Sequence, residues 1–158
     1  MFSNSSQKRS KGTGKSRANN KHVWYHPGYR QKLNYRPENS TGFIHFDSEL
    51  EFSVYLTFSP KDKAELQIHH PIELIPKPNQ ILWKVDYYFP MLKRIVEVKG
   101  EWINSSASSA SKSLLIHQIK LAKHAGYDVV LLGDVDFQVG PYNALNYRKW
   151  RLTDAHSV

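Results

Sequence analysis

Hydrophobic and polar positions change period several times along the chain, and each change predicts an element. Across residues 48–58, SELEFSVYLTF, Leu50, Val54 and Phe58 fall near one stripe at helical spacing, with Phe52 and Tyr55 widening it. Ser48 followed three residues on by Glu51 is the pattern of a capping box, and Asp47 adds negative charge at the positive helix end. Pro60 is expected to end this helix. Glu49 and Glu51 lie about 200° apart around it, so only one can face a given site. Residues 66–75, LQIHHPIELI, read as a strand interrupted at Pro71, hence an edge or bulged one. A turn, PKPNQ, follows, and residues 81–89 and 94–99 read as two strands joined around Pro90.

Helical spacing returns over residues 112–125. Leu115, Ile119 and Ala122 form an apolar stripe, with Leu114, Leu121 and Ala125 beside it, and Ser113, His117, Lys120 and Lys123 are polar. Gln118 interrupts the Leu114–Leu121–Ala125 row, and a core-facing glutamine needs hydrogen-bond partners. Gly126 fits the position just past a helix end. Residues 127–132, YDVVLL, then read as a strand buried on both faces and parallel to its neighbour across the helix.

The strand at 94–99 carries the first candidate chemistry. Successive side chains alternate faces, so Glu97 and Lys99 point one way, and Val96 and Val98 point the other. Charges on a half-buried strand are expensive without partners. A divalent cation between Asp86 and Glu97 would supply one, with Lys99 as local counter-charge. The spacing D-x10-E-x-K offers two hard oxygen ligands for Mg²⁺ and a cation to stabilise developing negative charge.

Composition sets the bounds. The 158 residues allow one domain plus an appendage, and 40% hydrophobic content with a mean hydropathy of −0.57 suits a water-soluble chain with one core. No run approaches a membrane span, and the N-terminal stretch lacks the apolar segment of a secretory signal, so a cytoplasmic location is expected. The absence of cysteine excludes disulfides and thiolate metal sites.

The net charge of +8 is unevenly placed. Residues 1–40 hold nine basic residues, Lys8, Arg9, Lys11, Lys15, Arg17, Lys21, Arg30, Lys32 and Arg36, against the single acid Glu38. Residues 41–158 hold thirteen of each sign. A basic arm on a neutral body is an electrostatic handle for a polyanion, or else a solvated tail. Residues 1–21 are expected to be disordered until something anionic binds. The run GTGKS at residues 12–16 fails as a phosphate loop, because Arg9 stands where the first glycine is needed and no strand precedes it; no nucleotide cofactor is expected. Over residues 22–40, Trp24, Tyr25, Tyr29 and Tyr35 alternate with His22, His26 and the basic residues. They could stack on bases or pack the arm onto the body. His22 and His26 have zinc-like spacing without clear further ligands. His69 and His70 remain open between a ligand or DNA contact and a structural role. Residues 104–113, NSSASSASKS, form a serine-rich connector beside the proposed site. Tyr142, Tyr147, Arg148, Lys149, Trp150 and Arg151 make a second basic-aromatic cluster, for nucleic acid or an oligomer interface.

The order helix, three strands, helix, strand resembles the core of the PD-(D/E)xK nuclease superfamily. The resemblance rests on Ser48-x2-Glu51, Val85-Asp86-Tyr87, Glu97-Val98-Lys99-Gly100 and the helix at 112–125, and covers roughly residues 43–133. It is closest to junction-resolving, homing-type and transposon-end endonucleases. Val85-Asp86-Tyr87 replaces the usual Pro-Asp-Phe, and His70-Pro71 stands where Gln-Pro is common.

The resemblance implies an α/β fold: a restriction-endonuclease-like core with a central mixed sheet of four to five strands flanked by helices. Residues 1–40 would form a basic arm, 41–135 the nuclease core and 136–158 a C-terminal extension. It makes Asp86 and Glu97 the main Mg²⁺ ligands (Mn²⁺ as substitute), with the Val98 carbonyl a further ligand and Glu51 the third carboxylate. Lys99 would orient the attacking water, and Gln118 would sit near the scissile phosphate. The implied activity is Mg²⁺-dependent endonucleolytic hydrolysis of DNA, leaving a 5′-phosphate, in a protein of bacterial or phage origin. The substrate reading is a site-specific enzyme of homing or restriction type, with a junction resolvase or transposon-end nuclease as alternatives. Double-stranded DNA would be held by the nine basic residues of the arm, Trp24, His70 and Lys112. Cutting both strands would require a homodimer or higher symmetric oligomer. A non-catalytic DNA- or RNA-binding module is the reading from another class.

Overall fold

A computed structural model of the chain describes residues 21–99 and 109–133. Lys8, Arg9, Lys11, Lys15 and Arg17, residues 100–108 of the serine-rich connector and its flank, and the C-terminal cluster lie outside the described residues. Among the described residues the fold is mixed α/β, with three α-helices and three sheets. No helix among them is long and apolar enough to cross a membrane. The chain divides into two compact units, Met1–Ser53 and Val54–Val158. The division between them falls after residue 53.

The first unit contains a small antiparallel sheet of β1 (Val23–His26), β2 (Gln31–Leu33) and β3 (Ile44–Phe46), with β1 in the middle. Residues 23–26 and 31–33 thus form strands within the basic stretch. Val23 and Phe46 are fully buried, while Tyr29 and Tyr35 lie exposed in the connections. Pro27 and Gly28 begin the turn, which Arg30 closes in the left-handed region at φ 52°. Tyr25 and Phe46 rings pack against Phe52.

Phe52 belongs to α1 (Glu49–Thr57). The Glu51 N–H donates to Ser48 Oγ at 3.1 Å, and the Ser48 hydroxyl lies 3.4 Å from Glu51 Oε2, so the expected cap forms at Ser48. Pro60 does end α1, but it also opens a further helix, α2 (Pro60–Glu65), which the sequence reading missed. Ser59 caps α2 by accepting from the Asp62 N–H at 3.1 Å, and Pro60 sits where a missing N–H costs nothing. Ser-Pro-x-Asp was the available signal.

The second unit is built on a four-stranded mixed sheet in the order β4–β7–β8–β9. Its strands are β4 (Gln67–Ile68), β7 (Tyr87–Phe89), β8 (Arg94–Val98) and β9 (Asp128–Leu132). β8 is antiparallel to β7 and parallel to β9. A separate two-stranded antiparallel sheet pairs β5 (Pro71–Ile75) with β6 (Ile81–Lys84).

Both faces of the larger sheet are covered, which is why β8 and β9 read as nearly continuous apolar runs. On one face Ile95, Val129 and Leu131 join Ile72, Leu74, Trp83 and Val85 against Leu115, Ile119 and Ala122 of α3 (Ser109–His124). On the other face, Phe58 meets Tyr87 and Phe89 edge-on at 5.0 and 5.5 Å. The α3 stripe is thus the predicted one. Its end is also as predicted: Gly126 has φ +96°, and the Tyr127 N–H reaches the Ala122 carbonyl at 3.0 Å while the Gly126 N–H reaches Lys123. This is a Schellman closure, which satisfies the last carbonyls of the helix.

Two substitutions test this packing. Ile119→Ala should destabilise the protein by about 2–5 kcal/mol in urea unfolding, the range for emptying a well-packed aliphatic site. Gly126→Ala should cost about 1–2 kcal/mol from its left-handed backbone, since the added Cβ would meet only ordinary contact at 3.5 Å from Lys93 Nζ.

Candidate active site at the bend of the central hairpin

β4 and β5 face β7 and β6 as one long hairpin broken in the middle. The break lies at His69–His70 on one side and Val85–Asp86 on the other. Two backbone bonds carry the pairing through it: His69 N–H to Asp86 carbonyl at 3.1 Å, and Val85 N–H to His70 carbonyl at 3.0 Å. The bend has local causes. His69 lies in the left-handed region at φ 54°, and Pro71, with no N–H, keeps His70 extended. The interruption expected at Pro71 thus begins two residues earlier, and the single strand expected over 81–89 is two.

The register of β7 and β8 pairs Tyr87 with Val96 and Tyr88 with Ile95. Continued one step, it sets Asp86 opposite Glu97, but here side chains replace the ladder. The Asp86 N–H donates to Glu97 Oε1 at 2.9 Å, and the Val98 N–H donates to Asp86 Oδ2 at 2.7 Å. Each carboxylate satisfies a backbone donor on the other's strand. β6 then leaves with β5, while β8 continues beside β9, where the Lys99 N–H reaches the Leu132 carbonyl at 2.8 Å. The two acids sit in the crotch of this fork.

Lys99 joins them, its Nζ 3.5 Å from Glu97 Oε2. Glu97 is only 4% exposed, Asp86 and Lys99 are half-buried, and Val96 and Val98 are buried on the opposite face, as alternation requires. Glu97 shares its face with Ile95, hence with α3. Three of the residues singled out in the sequence are therefore together. Gln118 is half-buried on α3, and so is Lys112. His70 is half-buried and stacks on Tyr88 at 5.4 Å and 10°, which gives its ring a packing role at the bend. The Tyr88 hydroxyl is raised above its ordinary value by burial and by neighbouring Tyr127.

Compared with family models, curated proteins and solved structures, the chain matches none.

Glu51, the remaining carboxylate, belongs to the first unit, where it is buried and bonded to Ser48. Its neighbour Glu49, on another side of α1, accepts from Asn34 Nδ2 at 2.8 Å and pairs with Lys32 Nζ at 2.8 Å. Lys32 also lies 5.6 Å from the centre of the Phe52 ring. Lys32 is therefore tied into the unit, whereas Lys21, Arg30 and Arg36 are exposed. Trp24 is half-buried and stacks on His45 at 4.5 Å.

The donor set at the fork suits a hard divalent cation. Asp86 and Glu97 present carboxylate oxygens, and their rotamers are fixed by backbone donors. Arranged this way, the residues can hold a cation against an ammonium group at the end of a rigid sheet.

The Lys32–Glu49 pair gives a pH test. Burial alone would raise the Glu49 carboxyl, but hydrogen bonds from Lys32 and Asn34 with nearby positive charge outweigh it and hold it below its ordinary 4.5. A lowered folded value stabilises the protein above the unfolded value, and this contribution fades as pH falls through the folded one. With both side chains partly exposed, Lys32→Met should lose under about 1 kcal/mol at pH 7. The difference from wild type should shrink in urea unfolding as pH is lowered below 4.5.

Proposed function

We propose that this chain is a Mg²⁺-dependent endodeoxyribonuclease of the PD-(D/E)xK type, with Asp86, Glu97 and Lys99 at its centre. The observation that carries the reading is the mutual locking of Asp86 and Glu97 through each other's backbone, with Lys99 3.5 Å from Glu97. The mixed sheet with parallel β8 and β9 and α3 on one face is compatible with a restriction-endonuclease-like core.

In this reading Asp86, Glu97 and the Val98 carbonyl would hold Mg²⁺, or Mn²⁺ in its place. Glu51 serves as third carboxylate on the strength of its Ser48-x2-Glu51 pattern. The ion, when bound, supplies a water of lowered pKa and relief of charge on the phosphoryl oxygens. The Lys99 ammonium orients that water and donates to the phosphate as negative charge builds. Water oxygen bonds to phosphorus, the bond to the 3′ oxygen breaks, and a 5′-phosphate and a 3′-hydroxyl remain. Gln118 on α3 is assigned to the scissile phosphate. Lys8, Arg9, Lys11, Lys15, Arg17, Lys21, Arg30 and Arg36 track the duplex backbone, and exposed Tyr29 and Tyr35 offer stacking surface. Site-specific cutting of both strands would use a symmetric oligomer; junction or transposon-end cleavage is the alternative within the same chemistry.

Nicking of supercoiled plasmid tests this directly. The wild type should nick with Mg²⁺ or Mn²⁺ and not with EDTA. Glu97→Gln and Lys99→Ala should lose at least about 100-fold in rate, the scale of a lost charge-stabilising group, while DNA binding in gel shifts stays within about 3-fold. Binding without metal-dependent nicking in all three proteins would instead identify a nucleic-acid-binding module.

A further inference from the structure

The first unit carries a second cluster of metal-ligating side chains, with different chemistry from the fork. β1 and β3 run antiparallel with Val23 opposite Phe46 and Trp24 opposite His45. Val23 and Phe46 are fully buried, so alternation turns His45 and Asp47 to the outer face, together with His22 and Trp24. The same register sets His22 across from Asp47. The side chains meet: His22 Nδ1 is 2.9 Å from His45 Nε2, and Asp47 Oδ1 is 4.0 Å from the first and 3.9 Å from the second.

We propose that His22, His45 and Asp47 form a three-ligand site for a zinc-like transition-metal ion, which clasps the start of β1 to the end of β3. Two imidazoles and a carboxylate are a donor set for Zn²⁺ and its first-row neighbours rather than for Mg²⁺, which takes oxygen. Zinc bonds of about 2.0–2.2 Å hold tetrahedral ligand atoms about 3.3–3.5 Å apart, and the three observed separations bracket that spacing. In the absence of an ion, ring nitrogens 2.9 Å apart must share one proton, because two acceptors or two donors would repel. The two rings of the pair lie nearly parallel, their centres 5.1 Å apart at 11°. Trp24 steadies it, its ring 4.5 Å from that of His45 and 5.9 Å from that of His22.

The site is open to solvent. The side chains of His22, Asp47 and His45 are 56%, 52% and 38% exposed, leaving a route in and a fourth position for water or a ligand. Asp47 immediately precedes Ser48, whose hydroxyl caps α1 and meets Glu51. An ion here would therefore fasten the residue just ahead of the cap of the Glu51-bearing helix. Local spacing pairs His22 with His26 instead. His26 is engaged elsewhere, accepting from the Tyr29 N–H at 3.1 Å and meeting Phe43 edge-on.

The test uses the full chain freed of any histidine tag and stripped with EDTA. Titrated with Co²⁺ and then Zn²⁺, it should develop a saturable visible absorption that Zn²⁺ displaces at one equivalent, with a rise in melting temperature. Glu97→Gln, altered only at the fork, should retain that one-to-one binding. His22→Ala and Asp47→Asn should weaken it at least about tenfold, and His45→Gln should do the same, with unchanged far-UV circular dichroism. Lower pH should weaken it in the wild type, because protons compete for the ring nitrogens. His22→Ala lies ahead of β1 and keeps the sheet register, so it decides the matter should a His45 variant fail to fold. No saturable binding, binding unchanged in His22→Ala, or binding lost in Glu97→Gln would each overturn the proposal.

Discussion

Two backbone donors that a regular ladder would have paired with carbonyls are instead satisfied by Asp86 and Glu97, each reaching the strand of the other. Buried amides must find acceptors, so a ladder cannot simply stop inside a protein. Here the carboxylates end it. That lets β6 peel away with β5 while β8 stays with β9, and it fixes both acids side by side without further scaffolding. The fold of the second unit and the geometry of its polar centre are therefore one arrangement. A chain with neutral apolar residues at both positions would leave the Asp86 and Val98 amides without these acceptors. Asparagine and glutamine could still accept, which is why conservative substitutions separate charge from architecture at this point.

The sequence exposed those parts of the structure whose signal is periodic and long. Sixteen-residue α3 carries Leu115, Ile119 and Ala122 at helical spacing over about two turns, and Gly126 marks its end. Alternation along β8 was enough to place Glu97 beside Lys99 and apart from Val96 and Val98. The strands of the first unit were not legible because β1, β2 and β3 span only four, three and three residues. So few positions cannot distinguish alternation from chance, and the basic-aromatic composition pointed to an irregular arm. The bend at His69 was hidden for another reason. A left-handed histidine leaves no compositional trace, and only the proline two residues later hinted at it. The His22–His45–Asp47 cluster is a product of register, joining residues 23 and 25 positions apart, which no reading of local spacing reaches.

Electrostatics argue that the fork is more than a structural device. Two carboxylates brought together at the edge of a core repel each other, and Glu97 is almost wholly buried. One hydrogen bond from an amide to each offsets part of the desolvation, and Lys99 at 3.5 Å offsets more. Buried ionic groups of this kind are often no more stabilising than apolar residues of similar size. Negative charge concentrated there does have a use if a divalent cation and a phosphodiester are to meet on it, because the cation then relieves the repulsion it exploits.

The two polar clusters also differ in a way that bears on selectivity. At the fork, the donors from Asp86 and Glu97 are all oxygen, which favours hard ions that keep part of their water. On the outer face of the small sheet, His22 and His45 supply nitrogen, for which zinc and its neighbours compete far better than magnesium. In a mixture of ions each cluster would draw a different one, so filling one need not deplete the other. The division follows from which residue types strand register brings together: imidazoles and Asp47 on the outer face of β1 and β3, and carboxylates with Lys99 where the strands part at Asp86. Chemical specificity here is thus set by strand register before any ion arrives.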